Sequence, residues 1–246
     1  MKIGLIMTGH PRQFKDCYPS VKQFILDKHN VDVYISTWDH NFNHIERKHL
    51  TKPFDPMPVI DLYKPVNVHI ENHIQYYENK KVIQFNEHPP SCNRKHLLCQ
   101  VNEDDGYCHS LENVRDQWYI VKKGFELIKD PNKYDYIMKL RLDVMFKYFV
   151  FQENLPKDTI IVPFDHEEWS DVLEHVCNDT VAYGSPDAMA KYCRTYDYFE
   201  EIMKIRNGLV WMEWILGYYL KYICNIQAKV DRDTLQHSLC HHLPDV

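Results

Sequence analysis

The chain has 246 residues, of which 44% are hydrophobic, and its formal net charge is −6. This length and composition predict one globular domain with a sizeable core. Because nucleic-acid binding needs a basic stripe and no dense run of lysine and arginine occurs, DNA and RNA are excluded as expected partners.

The N-terminus and the cysteines bear on the cellular compartment. The first ten residues, MKIGLIMTGH, are apolar over too short a stretch for a secretory signal or a membrane span. We therefore expect a soluble, cytoplasmic protein with no transmembrane segment and with reduced thiols. One group has zinc-type ligands, although its spacing matches no common zinc finger: Cys92, His96, Cys99, Cys108 and His109. A structural zinc site there is an alternative.

The chain begins with a strand, a helix and a second strand. Residues 2–8 form a short apolar run that predicts a buried strand. A helical pattern follows from Tyr18 to His29, with Pro19 expected near its start. Residues 31–37 alternate and are rich in β-branched side chains, which indicates the second strand. This order predicts a βαβ unit with two parallel strands and a right-handed crossover.

The next segments continue this alternation. Residues 39–58 are predicted to be a loop, and residues 66–71 a third strand. Residues 85–108 are polar and predict an irregular insertion. A strong amphipathic helix is expected near 110–129, with Trp118 on its apolar stripe and therefore in the core.

The stretch 135–146, DYIMKLRLDVMF, raises the central question. It predicts a buried fourth strand, yet it places Arg141 and Asp143 at the C-terminal end. The simpler explanation is a salt bridge at a sheet edge. A ligand site is favoured, because ligands of open α/β sheets bind beyond the carboxyl ends of the strands. Polar residues also follow the first two predicted strands: Thr8, Gly9, His10, Arg12, Thr37, Trp38 and Asp39. The loops near the sixth strand carry Asn178 and Asp179.

The remaining segments complete an α/β pattern. Strands are predicted at 159–163 and within 179–186, where Ser185 has the character of a helix N-cap. The helix that follows is expected to run to about residue 206. A further helix at about 210–223 and a last strand at 225–230 then close the chain. The predicted fold is an α/β sandwich with a mostly parallel sheet.

Several common sites are excluded by their missing motifs. G-x-G-x-x-G and G-x-x-x-x-G-K-[ST] do not occur, which argues against a dinucleotide site and a P-loop. G-x-S-x-G is also missing, which argues against a serine hydrolase of that type.

The order and spacing of five segments resembles nucleotide-sugar glycosyltransferases of the GT-A fold. These segments are GLIMTGHPRQF, VDVYISTWD, ENVRDQWYIVKKGFELI, YDYIMKLRLDVMF and NDTVAYGSPDAM. The style is closest to the small enzymes of large DNA viruses, phages and bacterial surface-polysaccharide clusters. The resemblance implies one α/β/α domain over 1–246. Its parts are a nucleotide-binding half (1–84), an insertion (85–108), and a half with the motif strand and acceptor site (109–246).

The resemblance implies transfer of a sugar from a UDP- or GDP-linked donor to a saccharide or glycoprotein glycan. The family places a D-x-D motif at the end of the strand occupied here by 135–146, and its acids hold Mn²⁺ or Mg²⁺ on the donor diphosphate. Here Asp143 aligns with the last acid, and Arg141 replaces the first. Arg141 either contacts a phosphate directly or neutralises Asp143 and weakens metal binding. His237, in the C-terminal HSLCHH, is a second candidate metal ligand, against the simpler interpretation of a polar tail.

Other site residues are also implied by the resemblance. Two carboxylates are candidates for the base that takes the acceptor's proton, Asp179 and Glu213, although each could instead be an N-cap or part of a buried pair. The expected donor contacts are Thr8, Gly9, Arg12, Asp39, Gln117 and Lys122, together with Arg141 and Asp143. The literal D-x-D at 231–233 follows the last predicted strand and is interpreted as a solvated turn. A non-catalytic nucleotide- or glycan-binding module and a zinc-stabilised interaction protein remain the alternatives.

Overall fold

A computed structural model describes residues 1–11, 13–42, 51–72, 75–76, 79, 111–163, 177–205, 212–231 and 233–239. The first part contains β1 (Lys2–Thr8), α1 (Phe14–Val21), β2 (Asn30–Trp38), β3 (His40–Phe42), β4 (Thr51–Pro53), α2 (Met57–Tyr63) and β5 (Asn67–Glu71). The second part contains α3 (Leu111–Glu126), β6 (Tyr136–Arg141), β7 (Val144–Phe149), β8 (Thr159–Pro163), β9 (Val181–Gly184), α4 (Pro186–Tyr192), α5 (Thr195–Ile205), α6 (Met212–Tyr218), β10 (Gln227–Asp231) and β11 (Leu235–Leu239). A π-helical turn extends α1 over Lys22–Leu26, and another extends α6 over Tyr219–Ile223.

Among the described residues, seven strands form the central sheet, in the order β10-β8-β9-β6-β1-β2-β5. The neighbours pair in parallel except at β9, which runs antiparallel to both β6 and β8. Two antiparallel pairs lie outside this sheet, β7 with β11 and β3 with β4. The predicted α/β class with a mostly parallel sheet is therefore confirmed.

The two faces of the sheet bury different side chains, because successive residues of a strand point to opposite sides. On one face, Ile6 and Ile137 belong to a core with residues of α3, α4, α5 and α6, and Trp118 is fully buried there as predicted. On the other face, Leu5 and Leu140 pack with residues of α1, α2, β7 and β11. Helices thus cover both faces. In the part of the chain that the structure describes, no helix is both long and apolar enough to cross a membrane.

The predicted fourth strand, 135–146, is two strands. β6 ends at Arg141, residues 142–143 form a turn, and β7 starts at Val144 and leaves the central sheet to pair with β11. The apolar alternation continues through the turn, so the sequence pattern alone does not show the reversal. The strand at 225–230 is also not the last, because β11 follows it.

Two helix predictions are corrected. The single helix to about residue 206 is broken into α4 and α5 by a turn at Cys193 and Arg194, where the Thr195 hydroxyl donates to the Tyr192 carbonyl at 2.8 Å. Pro19 lies inside α1 instead of near its start, since burial of Phe14 and Cys17 extends the helix toward the N-terminus. A proline in this position removes one helical hydrogen bond, and the π-helical turn directly follows.

The predicted loop at 39–58 has some regular structure. It contains β3 and β4, which pair antiparallel, and it ends in the first residues of α2. Short strands of this length lack the apolar alternation that identifies a strand from sequence. The insertion at 85–108 and the candidate zinc ligands Cys92 to His109 lie outside the described residues.

Helix α3 packs closely against the sheet at Gly124. A Cβ atom there would lie 2.5 Å from Ile6 Cγ2 and 3.3 Å from Thr8 Cγ2. Alanine normally favours a helix interior over glycine by about 1 kcal/mol, but overpacking a buried site costs about 1–3 kcal/mol. We expect Gly124→Ala to lower the free energy of unfolding in urea by about 1 kcal/mol. An unchanged or increased stability would show that α3 can shift away from the sheet.

Candidate active site

Arg141 and Asp143 form a two-point ion pair at the carboxyl end of β6. The guanidinium donates from Nε to Oδ1 at 2.9 Å and from Nη2 to Oδ2 at 2.7 Å. The Asp143 side chain is 4% exposed and the Arg141 side chain 20%. Burial by itself lowers the pKa of Arg141, but Asp143 and Asp179 outweigh this effect, and the pKa lies above its usual value. Arg141 is therefore a permanent cation close to two acids.

The residues just before β9 bring Asp179 to the same edge. Its Oδ2 accepts a hydrogen bond from Nε2 of Gln117 on α3, and its backbone carbonyl accepts one from Nζ of Lys139 on β6. Among the described residues, none donates a hydrogen bond to Oδ1. The carboxylate is thus held in one orientation with one oxygen available to a substrate.

Lys139 is a site residue that sequence reasoning missed. Its side chain is fully buried on β6, two residues before Arg141, so both point to the same face of the strand. Burial lowers its pKa to about 8, against the attraction of Asp179, and Arg141 lowers it further. The sequence did contain a signal for it, a lysine inside an apolar strand two residues before an arginine. A lysine in such a strand is buried and therefore needs a buried partner.

His237 on β11 is joined to the segment before β9 by a hydrogen-bond chain. The Thr180 hydroxyl donates to Oδ1 of Asn178 at 2.5 Å, so its single proton is used there. His237 Nε2, 2.8 Å from the same hydroxyl oxygen, must then be the donor, which leaves the lone pair on Nδ1. Burial, followed by Arg141, lowers the pKa of His237 to about 4. The imidazole is therefore neutral at pH 7.

Glu213 approaches the site from the first turn of α6. Its backbone carbonyl accepts from the Cys177 N–H at 3.1 Å, which ties α6 to the segment that carries Asp179. Its charge also contributes to raising the pKa of Arg141. The cysteine next to it is a neutral thiol, because burial, then Asp179 and Glu213, raise the pKa of Cys177 well above its usual value. One of the two predicted base candidates, Asp179, thus lies on the segment to which the backbone of the other, Glu213, is hydrogen-bonded.

The end of β1 lies beside this cluster. Thr8 is the register partner of Arg141, and its carbonyl accepts from the Leu142 N–H at 3.0 Å. Gly9 has φ of +98°, a conformation that favours glycine, and its carbonyl accepts from the Thr37 hydroxyl at 2.8 Å. The structure thus brings Thr8 and Gly9 to the site, while Arg12 lies outside the described residues.

The other two predicted donor contacts have partners of their own. Asp39 follows β2, and its two oxygens contact Nδ1 of His40 at 2.5 Å and Nδ2 of Asn72 at 2.8 Å. Lys122 forms an ion pair with Asp197 of α5 at 2.5 Å. The contacts seen within the described ranges do not join either residue to the cluster around Arg141, and their roles in donor binding remain predictions.

The predicted metal ligands do not fit a Mn²⁺ or Mg²⁺ site as they are placed. Both oxygens of Asp143 already accept hydrogen bonds from Arg141, so a cation bound there would lie beside a guanidinium, and His237 has only Nδ1 to offer because Nε2 donates to Thr180. Hard divalent cations prefer several oxygen ligands at once. No group of three or more His, Cys, Asp or Glu side chains in the described ranges is arranged to hold a metal ion.

The literal D-x-D at 231–233 has a structural role at its first residue. Asp231 is buried, and its Oδ1 accepts from the backbone N–H groups of Asp233 at 3.0 Å and Thr234 at 2.8 Å. Burial raises the pKa of Asp231, but these contacts and that of Gln152 outweigh it and lower the pKa. The prediction of a solvated turn is therefore wrong for Asp231, whose carboxylate organises the turn into β11.

These contacts define one cluster at the carboxyl edge of the central sheet: Gln117, Lys139, Arg141, Asp143, Asp179, Glu213 and His237. It combines a permanent cation, Arg141, with a fixed carboxylate, Asp179. Such a pair can bind an anionic group and accept a proton from a neighbouring hydroxyl. Comparison with protein-family models and with curated protein sequences gave no match for this chain.

Proposed function

We propose that this protein is a glycosyltransferase that moves a sugar from a UDP- or GDP-linked donor to a saccharide or glycoprotein glycan. The observation that carries the proposal is the position of Arg141 next to the segment that bears Asp179, where the Arg141 N–H donates to the Thr180 carbonyl at 3.1 Å. Both lie at the carboxyl edge of a mostly parallel sheet, where ligands of such sheets bind. The resemblance of five sequence segments to nucleotide-sugar glycosyltransferases specifies the chemistry. The helices on both faces of the sheet are compatible with the GT-A fold that this resemblance implies.

The transfer assigns separate roles to the two charges. The acceptor hydroxyl oxygen forms a bond to the anomeric carbon of the donor, and the bond from that carbon to the diphosphate breaks. The nucleoside diphosphate leaves with the bonding electron pair, and a cation beside it stabilises the charge that develops. Asp179 takes the hydroxyl proton, since its Oδ2 is held by Gln117 and Oδ1 is available.

One observation favours a second candidate, a nucleotide- or glycan-binding module without catalysis. The motif that holds the metal in the resembled family has Arg141 in place of its first acid, and both oxygens of its last acid are bound by that arginine. A protein that had kept the binding cleft and lost transfer would show this change. Turnover separates the two candidates.

The test is a screen of UDP- and GDP-sugars by thermal melting, each with and without Mn²⁺, followed by assay of donor hydrolysis. A ligand at 100 times its dissociation constant stabilises the native state by about 2.7 kcal/mol, which gives a clear rise in Tm. We expect a rise with at least one donor and slow hydrolysis of that donor. Binding without hydrolysis or transfer would favour the binding module. A flat response to every nucleotide sugar would contradict the glycosyltransferase and a nucleotide-binding module.

A further inference from the structure

The geometry of Arg141 points to a phosphate-binding site that needs no divalent cation. We propose that the Nη1/Nη2 edge of this guanidinium binds the diphosphate of the donor, and that Asp143 positions the arginine instead of holding a metal. This inference rests on the proposed function for the identity of the ligand. The phosphate contact itself can be measured without a sugar donor.

The first observation is which N–H groups of Arg141 are already used. A guanidinium has five N–H donors in one plane. Asp143 accepts one N–H from Nε and one from Nη2, which occupies the Nε/Nη2 edge of the guanidinium. The second N–H of Nη2 and both N–H groups of Nη1 make no hydrogen bond to the described residues. Neither nitrogen is among the buried polar atoms that lack a hydrogen-bond partner, and the side chain is 20% exposed. A ligand can therefore reach them.

The second observation is that the available edge has the shape of a phosphate receptor. Nη1 and Nη2 present two parallel N–H groups, the arrangement that forms bidentate contacts with phosphate. The Asp143 side chain is 4% exposed and binds the Nε/Nη2 edge with two hydrogen bonds. The guanidinium is therefore held in one orientation before a ligand binds. A fixed fork loses less side-chain entropy on binding than a mobile one.

The third observation concerns the neighbouring charges. Lys139 contacts the Asp179 backbone and lies near its carboxylate, and Arg141 is paired with Asp143. Glu213 adds a further negative charge near Arg141. The cluster therefore has no net positive charge that would attract an anion. Binding of a phosphate has to depend on hydrogen bonds from the N–H groups of Arg141.

Metal binding by Asp143 would require a different arrangement. A cation on Oδ1 or Oδ2 would have to share a nearly buried carboxylate oxygen with a guanidinium hydrogen bond of 2.9 or 2.7 Å. The positive charge of Arg141 would also remain next to that cation. Both effects oppose a divalent ion at this position.

The test measures binding of UDP, GDP and inorganic pyrophosphate by calorimetry, in EDTA and in Mg²⁺. We expect dissociation constants in the two conditions to agree within about threefold. Arg141→Lys keeps the charge but loses the fork, and we expect at least about tenfold weaker binding. Asp143→Asn keeps one acceptor for the arginine, and a smaller loss is expected. Arg194→Lys, the same change on a 60% exposed side chain, should have no effect.

The outcomes separate this inference from the proposed function. Binding of nucleotide sugars that appears only with a divalent cation and is abolished by Asp143→Asn would overturn the metal-free site and leave the glycosyltransferase proposal standing. Pyrophosphate binding in EDTA that Arg141→Lys abolishes, without binding of any nucleotide sugar, would support the site and overturn the donor assignment. No binding of any probe in either condition would overturn both. Circular dichroism of each variant shows whether it is folded, and the wild-type comparison of EDTA with Mg²⁺ needs no variant.

Discussion

Asp179→Asn is expected to lower the rate of sugar transfer by about 10²–10⁴-fold, the usual contribution of a general base. Asparagine has nearly the same shape and its side-chain oxygen still accepts from Gln117, but it takes up no proton. Donor affinity should therefore change little, whereas the melting temperature should fall, because the variant removes a buried carboxylate that attracts Lys139 and Arg141. The measurement is initial transfer rate under saturating donor, with the dissociation constant of the donor determined in parallel.

Two further variants make this result specific. Asp187→Asn makes the same change at an exposed position in the first turn of α4 and should keep the wild-type rate. Glu213→Gln tests the other candidate base at the site. If Asp179→Asn keeps the rate within a few-fold while Glu213→Gln loses it, the base is Glu213 and the role given to Asp179 is wrong.

Lys139→Met is expected to change how stability depends on pH. In the wild type, burial lowers the pKa of Lys139 from 10.5 to about 8. Between these two values the unfolded chain binds a proton that the native protein has released, so the free energy of unfolding rises with pH. The rise is up to about 1.4 kcal/mol per pH unit and about 3 kcal/mol in all. Below pH 8 both states bind the proton, and the full cost of burying the charged lysine destabilises the native protein.

Methionine removes this ionisation and also the hydrogen bond to the Asp179 carbonyl. Loss of the hydrogen bond costs about 1.5–3 kcal/mol of stability. At pH 7 this loss nearly cancels the gain from no longer burying a charged lysine. As the pH rises from 8 to 9.5, we expect the wild type to gain stability relative to the variant.

Urea unfolding at pH 6.5, 8 and 9.5 measures this difference. Tyrosines and cysteines that also titrate in the unfolded state are present in both proteins, and their contributions drop out of the comparison. Lys147→Met, on an exposed position of β7, should give a curve parallel to the wild type. Parallel curves for Lys139→Met as well would show that Lys139 does not carry a lowered pKa.

The central sheet was largely predictable because its signals are local. The apolar runs at 2–8, 31–37 and 159–163 and the N-cap at Ser185 each depend on a few neighbouring residues, and the structure confirms them. The turn between β6 and β7 was missed because apolar alternation continues through it. The break between α4 and α5 was also missed, since no proline or glycine marks Cys193 and Arg194.

The candidate site was predictable only in part. A rule about strand ends was enough to propose Arg141, Asp143, Thr8, Gly9 and Asp179, which the structure places along one edge. Lys139 was not proposed, because its partner is a backbone carbonyl 40 positions away. Contacts between groups so distant along the chain exist only once the strands have paired.

By itself, the sequence determined the α/β class, the order of the central-sheet strands along the chain and the polar residues at their carboxyl ends, because these depend on local periodicity and composition. Only the tertiary structure decided what Arg141 contacts. The turn after β6 brings Asp143 back onto its guanidinium with hydrogen bonds of 2.9 and 2.7 Å, and the pairing of β9 with β6 brings Asp179 beside it. A buried charge has to find its partner in three dimensions, and here the carboxylate that resembled a metal ligand is the partner of an arginine.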